Sequence, residues 1–196
     1  RYGKYRCLLT RQSRGADVLE RKPDAEAGYD EVIGMDCAAL KPLVACPHSP
    51  DIVKPVEELA VLKIDQVEIG SRTNSSFTDL LEVARILKGK TIHPEVSLVI
   101  SFGSKQVLRM LSRCGALDDL IAAGARVLEA AGGPCIGMGQ SPQSNGVSRR
   151  TFNRNFYGRS GTMSAGIYLV SPATAAASAI AGVLCSAETI DYAKPE

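Results

Sequence analysis

From residue 64 onward the chain alternates short apolar runs of strand character with segments whose apolar residues recur every three to four positions, and glycine and serine fill the turns between them. No other feature constrains the fold as strongly. A repeated order of strand, tight turn and helix needs crossover connections, and these set the strands parallel with helices packed on the sheet. Residues 64–70 read as a first strand. Ser75 or Ser76 caps the helix after it, because Phe77, Leu80, Leu81, Ala84 and Leu87 share one face while Asp79 and Glu82 lie near its positive N-terminal end. Residues 96–100 form a second strand, and Ser104 opens a helix carrying Val107, Leu108 and Leu111 that ends before Gly115. A short helix fits 117–123, closed by Gly124, and residues 126–128 make a strand that leads into a glycine-rich stretch at 131–138. Residues 166–170 are another strand, and the alanine-rich stretch 173–184 is a last helix whose small side chains permit close packing on a sheet. The expected fold is a three-layer αβα domain with a mainly parallel sheet, occupying residues 30–196.

The first 29 residues mix charges with little periodicity and read as an irregular arm or the remnant of a preceding domain. After them, Lys41-Pro-Leu-Val-Ala-Cys-Pro-His-Ser-Pro50 carries three prolines in ten positions. Such spacing forbids regular helix or a central strand and predicts a structured connector.

Bulk properties remove several classes of function. Lys and Arg number 23 against 21 Asp and Glu, a net charge of +2, so nothing global points to nucleic acid or an anionic membrane as partner. No apolar run approaches the roughly 18 residues of a membrane span. The basic start is followed closely by Asp17, Glu20, Asp24 and Glu26, unlike an acid-poor transit peptide. A first residue of Arg1 rather than methionine fits a processed or partial product. The six cysteines are scattered with no CxxC pair, which fits a reducing compartment such as a bacterial cytoplasm or a mitochondrial matrix. A soluble chain is expected.

Chemistry is concentrated late in the sequence. Between Glu129 and Glu188 there is no acidic residue, whereas Arg149, Arg150, Arg154 and Arg159 fall within eleven positions. Guanidinium groups bind carboxylates bidentately and keep their charge, so this run reads as an anion site. A solvated basic loop, or arginines paired with acids from elsewhere, would give the same spacing. Two strands end in Gly-Ser, at Gly70-Ser71 and Gly103-Ser104, with a helix starting soon after, and free backbone N–H groups at such ends favour anions. His48 and His93 have no Ser, Cys or carboxylate partner nearby and read as surface or hydrogen-bonding histidines. No catalytic triad, zinc spacing or P-loop is present.

Five phrases then carry a resemblance: Val67-Glu-Ile-Gly-Ser-Arg-Thr-Asn-Ser-Ser-Phe77, Ile86-Leu-Lys-Gly-Lys90, Gly133-Pro-Cys-Ile-Gly-Met138, Asn153-Arg-Asn-Phe-Tyr-Gly-Arg159 and Tyr168-Leu-Val-Ser-Pro172. In this order and spacing the chain resembles the cluster-bearing domain of the aconitase and isopropylmalate dehydratase family over residues 33–184, with closest likeness to bacterial single-chain aconitases. The resemblance implies a hydro-lyase that interconverts citrate and isocitrate through cis-aconitate on a 4Fe-4S cluster. It also implies that Asn153 lies beside the cluster and that Arg154 and Arg159 bind substrate carboxylates.

The family's three cysteine ligands fall at positions held here by Arg72, Gly132 and Cys135, so only Cys135 remains. Arginine has no lone pair to give iron. Cys114 and Cys185 are not placed to substitute and read as small buried apolar residues. The resemblance therefore implies a fragment or subunit of such a hydro-lyase, inactive and without cluster by itself, acting with other chains or the missing domains. Alternatives are a non-catalytic structural subunit and a module that binds a tricarboxylate or other small anion through Arg154 and Arg159. Arg72 is expected to face solvent, a carboxylate or backbone carbonyls.

Overall fold

The computed structural model describes Ala16 and residues 22–193, and the chain divides into two units, Arg1–Leu40 and Lys41–Glu196. The arm expected over residues 1–29 lies largely outside the described residues. In the first unit a 3-10 turn spans Cys37–Ala39, and its Asp36 carboxylate accepts the Ala38 N–H at 2.9 Å.

The second unit is built on seven strands: β1 Leu43–Ala45, β2 Val53–Pro55, β3 Gln66–Gly70, β4 Ser97–Ser101, β5 Arg126–Leu128, β6 Val147–Arg150 and β7 Gly166–Leu169. They lie in the order β2-β1-β7-β6-β3-β4-β5. The five strands from β7 to β5 run parallel, and only the β1–β2 hairpin is antiparallel to its neighbours. The mainly parallel α/β sheet expected from the sequence is thus the one observed. Three strands, β1, β2 and β6, were not expected. The proline-rich connector holds β1, because Pro42 and Pro47 flank Leu43–Ala45 and leave its own N–H groups free to pair. In β6 the two arginines conceal a central strand.

Four helices pack around this sheet: α1 Phe77–Leu87, α2 Lys105–Arg113, α3 Ala116–Ala122 and α4 Pro172–Ala181. Ser76 caps α1 in a reciprocal arrangement: its hydroxyl accepts the Asp79 N–H, and the Asp79 carboxylate accepts the Ser76 N–H. Leu80, Val83, Ile86 and Leu87 of α1 meet Val67, Ile69, Leu98 and Ile100 of the sheet in one continuous buried core. Alanines 175, 176, 177 and 179 are fully buried, so α4 lies close against β3 and α1. Burying each large aliphatic side chain here contributes roughly 1.5–3 kcal/mol. Gly182, in the left-handed conformation, caps α4 so that it ends at Ala181, three residues before the expected stop.

Strand alternation sends Gln66 and Glu68 to the opposite face from Val67 and Ile69. There the covering layer is the glycine-rich segment after β5, which contains a 3-10 turn at Gly133–Ile136 instead of a long helix. This layer carries the site.

Candidate functional site

The chain leaves β3 towards β4 and β5, then returns to place β6 on the other side of β3, so the direction of winding reverses at the β3–β6 boundary. Crevices outside the carboxyl ends of parallel strands at such a reversal are where α/β folds bind ligands. Here the crevice is a cavity of about 420 Å³ lined by Ser71, Arg72 and Thr73 after β3, Gly132, Cys135 and Ile136 after β5, and Asn153, Arg154 and Arg159 after β6.

Each wall has a local reason. Gly70 ends β3 at φ 132°, and a Cβ there would lie 1.8 Å from the Ser101 carbonyl oxygen, so only glycine lets the chain turn this close to β4. Thr151, the first residue after β6, then ties the turn down. Its N–H donates to the Glu68 carbonyl at 3.1 Å, its hydroxyl accepts the Gly70 N–H at 2.9 Å, and its carbonyl accepts from the Asn74 side chain. Arg72 and Asn153 are in this way carried to one mouth. The guanidinium of Arg159 is 5.4 Å from the Phe156 ring centroid. Arg72 lies over Gly132, where an added Cβ would sit 3.4 Å from its Nη2 and 3.6 Å from its Nε.

All six residues singled out in the sequence, Arg72, Gly132, Cys135, Asn153, Arg154 and Arg159, therefore border one cavity. Arg149 and Arg150 do not. The anion site expected across all four late arginines is narrower than it read, because Arg149 and Arg150 are fully buried within β6. Arg150 faces Glu68, its partner in register, with Nη1 2.7 Å from Oε2. The approach is off the line of a hydrogen bond. Its N–H groups go instead to Ser148 Oγ, Gln66 Oε1 and the carbonyls of Pro134 and Gln140. Burial pushes the Glu68 carboxyl up to about 8, against the opposing pull of Arg150. Burial likewise lowers the Arg150 guanidinium, and Glu68 opposes that shift.

On the other face the Arg149 guanidinium finds no hydrogen-bond partner among the described residues and stacks 3.8 Å over the Tyr168 ring. Burial brings it down to about 10. The sequence reading missed Glu68, and a lone carboxylate inside an apolar central-strand run was the available signal.

The histidines stand apart from the cavity. His48 packs edge-on against Tyr157 with ring centroids 4.9 Å apart, and His93 Nδ1 accepts the Glu95 N–H at 3.3 Å. Cys114 is exposed rather than buried, and Cys185 is half-buried.

The donor set does not fit an iron-sulfur cluster. Cys135 is the one thiol on the cavity, a guanidinium stands over Gly132, and among the described residues no group of three His, Cys, Asp or Glu side chains is placed to hold a metal ion.

A mainly parallel sheet with a cavity at its reversal point defines an α/β domain of the ligand-binding kind. A sequence model of the aconitase family (aconitate hydratase) matches residues 54–182, and the chain belongs to that family. Its relatives narrow the likeness. It is 41% identical over 182 residues to the 3-isopropylmalate dehydratase large subunit of Caldanaerobacter subterraneus subsp. tengcongensis, covering 92% of this chain and 43% of that protein. A second such large subunit, from Thermoanaerobacter sp., is 40% identical with the same coverage. Large subunit 2 of the Archaeoglobus fulgidus enzyme is 39% identical over 180 residues, 91% of this chain and 43% of that protein.

The chain thus spans less than half the length of the curated relatives it matches. These names correct the expectation of citrate and isocitrate interconversion and of a single-chain aconitase type, since the relatives are isopropylmalate dehydratase large subunits. Among the described residues no helix is long and apolar enough to cross a membrane.

Proposed function

We propose that this chain binds a branched, malate-type dicarboxylate of the kind its relatives are named for, and that it does so without cluster-dependent dehydration. One observation carries the reading: three guanidinium groups, Arg72, Arg154 and Arg159, share a cavity whose lining contains no carboxylate. Arg154 and Arg159 take the two carboxylates, Asn153 meets the hydroxyl, and Ile136 offers the one aliphatic surface for the branch.

Calorimetry with isopropylmalate at low ionic strength tests it. Heat should appear at millimolar ligand or below and shrink as salt is added, because the attraction is between solvated charges. No heat at tens of millimolar would remove the binding role. A stoichiometric cluster absorption after anaerobic treatment with iron and sulfide would overturn the cluster-free part.

The 43% span favours a second reading, in which the chain works with further polypeptide as part of a dehydratase-type assembly. Native mass spectrometry separates the two, since a complementing large-subunit-like chain in the complex supports the second and an isolated chain that binds ligand supports the first.

A further inference from the structure

Beneath the cavity floor, Arg150 spends its donors in an unusual way. Nη1 reaches the Pro134 carbonyl at 2.8 Å and Nη2 reaches the Gln140 carbonyl at 3.3 Å, so one planar group grips both ends of the segment that carries Cys135 and Ile136. Gln66 adds a third tie, from Nε2 to the Ser141 carbonyl at 3.2 Å. On its outer side the same segment is pinned by the Ser141 hydroxyl on the Gly137 carbonyl at 2.8 Å and by the Thr162 hydroxyl on the Pro142 carbonyl at 2.5 Å. A Cβ on Gly137 would lie 2.3 Å from the Ser160 carbonyl oxygen, so there is no slack on that side. From the sheet edge, Arg126 Nη1 adds bonds to the Gly139 carbonyl at 3.1 Å and to Gln140 Oε1 at 2.7 Å, and Gln140 Nε2 donates to Ser97 Oγ at 3.1 Å. Within the segment the regular structure is one short 3-10 turn, so side-chain ties rather than a strand ladder hold it.

We infer that Arg150 is a positioning residue for the cavity: by bridging Pro134 and Gln140 it fixes the wall formed by Gly132, Cys135 and Ile136 opposite Arg154 and Arg159. The inference deepens the anion-binding reading and rests on it only for what the wall is used for. Two carbonyls some six residues apart call for a fork of donors in a fixed plane, which guanidinium provides and ammonium does not. Charge compensation of Glu68 alone would be met equally by lysine.

The test uses Arg150→Lys, which keeps a positive charge opposite Glu68, and the double variant Glu68→Leu with Arg150→Leu, which removes both buried polar groups together so that neither is left alone. Alkylation of Cys135 by iodoacetamide is followed by peptide mass spectrometry in the whole chain, and sulfate binding is followed by calorimetry. Both variants should unfold cooperatively. Cys135 should react at least ~10-fold faster in each as its wall loosens, and sulfate should bind about 5-fold more weakly.

Rescue of both readouts by Arg150→Lys would reduce Arg150 to a counter-charge and overturn the inference, as would an unchanged Cys135 rate in the folded double variant. If wild-type protein binds no sulfate while the Cys135 rate still rises in the variants, the positioning role stands and the anion reading falls.

Discussion

Arg149 and Arg150 on one side, Arg154 and Arg159 on the other, belong to a single basic run of eleven positions, yet the structure gives them opposite fates. The first pair is sealed in β6 with no exposed surface, and the second borders the cavity. Strand pairing decides the difference. Between β3 and β7 the side chains of Ser148, Arg149 and Arg150 are all buried, so the arginines must find Glu68, carbonyls or an aromatic ring, whereas beyond Thr151 the chain leaves the sheet and the arginines can keep their water. Within the buried pair a second contrast appears: Arg150 is held by hydrogen bonds and its contact with Glu68, Arg149 against a ring face. Arginine count therefore says little about a site until burial is known.

The sharpest way to break this comparison is to remove Arg150 by itself. Arg150→Leu leaves Glu68 without its partner and takes a donor from each of the Pro134 and Gln140 carbonyls, and should cost about 3–5 kcal/mol in chemical denaturation. A loss below 1 kcal/mol would put Arg150 in the same class as Arg154.

Acidity probes the partner next. Folded Glu68 holds its proton up to about 8, against an ordinary value of 4.5. Between those limits the folded chain binds a proton that the unfolded chain has released, so stability should fall as pH rises from 4.5 towards 8, by at most about 1.4 kcal/mol per pH unit. Glu68→Gln should flatten that slope, and an unchanged slope in the variant would mean that another group sets it.

Arg149 should respond in the opposite sense. Replacing an unpartnered buried cation by an apolar side chain of similar length relieves its desolvation, so Arg149→Met should raise stability by about 1 kcal/mol despite losing the Tyr168 stack. A clear destabilisation would show that the ring outweighs burial. Smallest of all is the effect of Arg154→Ala on folding, within about 0.5 kcal/mol. The same change should weaken isopropylmalate binding about 10-fold, and intact affinity would take Arg154 out of the site.

Much of the architecture could be read before any coordinates, for a physical reason. The strands around 64–70, 96–100, 126–128 and 166–170 and the four helices bury faces whose apolar periodicity is continuous in sequence, and they are observed within a few residues of those positions. β6 could not be read this way, because Arg149 and Arg150 interrupt its apolar pattern and become burial-competent only beside Glu68 and Tyr168, which come from distant parts of the chain. β1 was hidden by flanking prolines that look like breakers until one sees that none lies within the strand. At the cavity, Arg154 and Arg159 were legible from charge, while Asn153, Cys135, Gly132 and Arg72 emerged only through the family phrases. The dicarboxylate class came from neither charge nor spacing, since guanidinium groups do not encode which carboxylate they meet.

The central place of β3 also has a kinetic consequence. One of its parallel partners, β4, follows after a single helix, but the other, β6, arrives only after α2, α3, β5 and the whole glycine-rich segment have been made. Closing the second pairing spans a far longer loop than the first, and chains pay that entropy before the contact repays it. The half from β3 to β5 should therefore assemble early and the β6 side late. In pulse-labelled hydrogen exchange during refolding, amides of β4 should gain protection before the Thr151 amide that closes onto Glu68, and simultaneous protection would argue for a single concerted step. On this ordering the cavity is the last feature to form, because its three arms come together only when β6 docks.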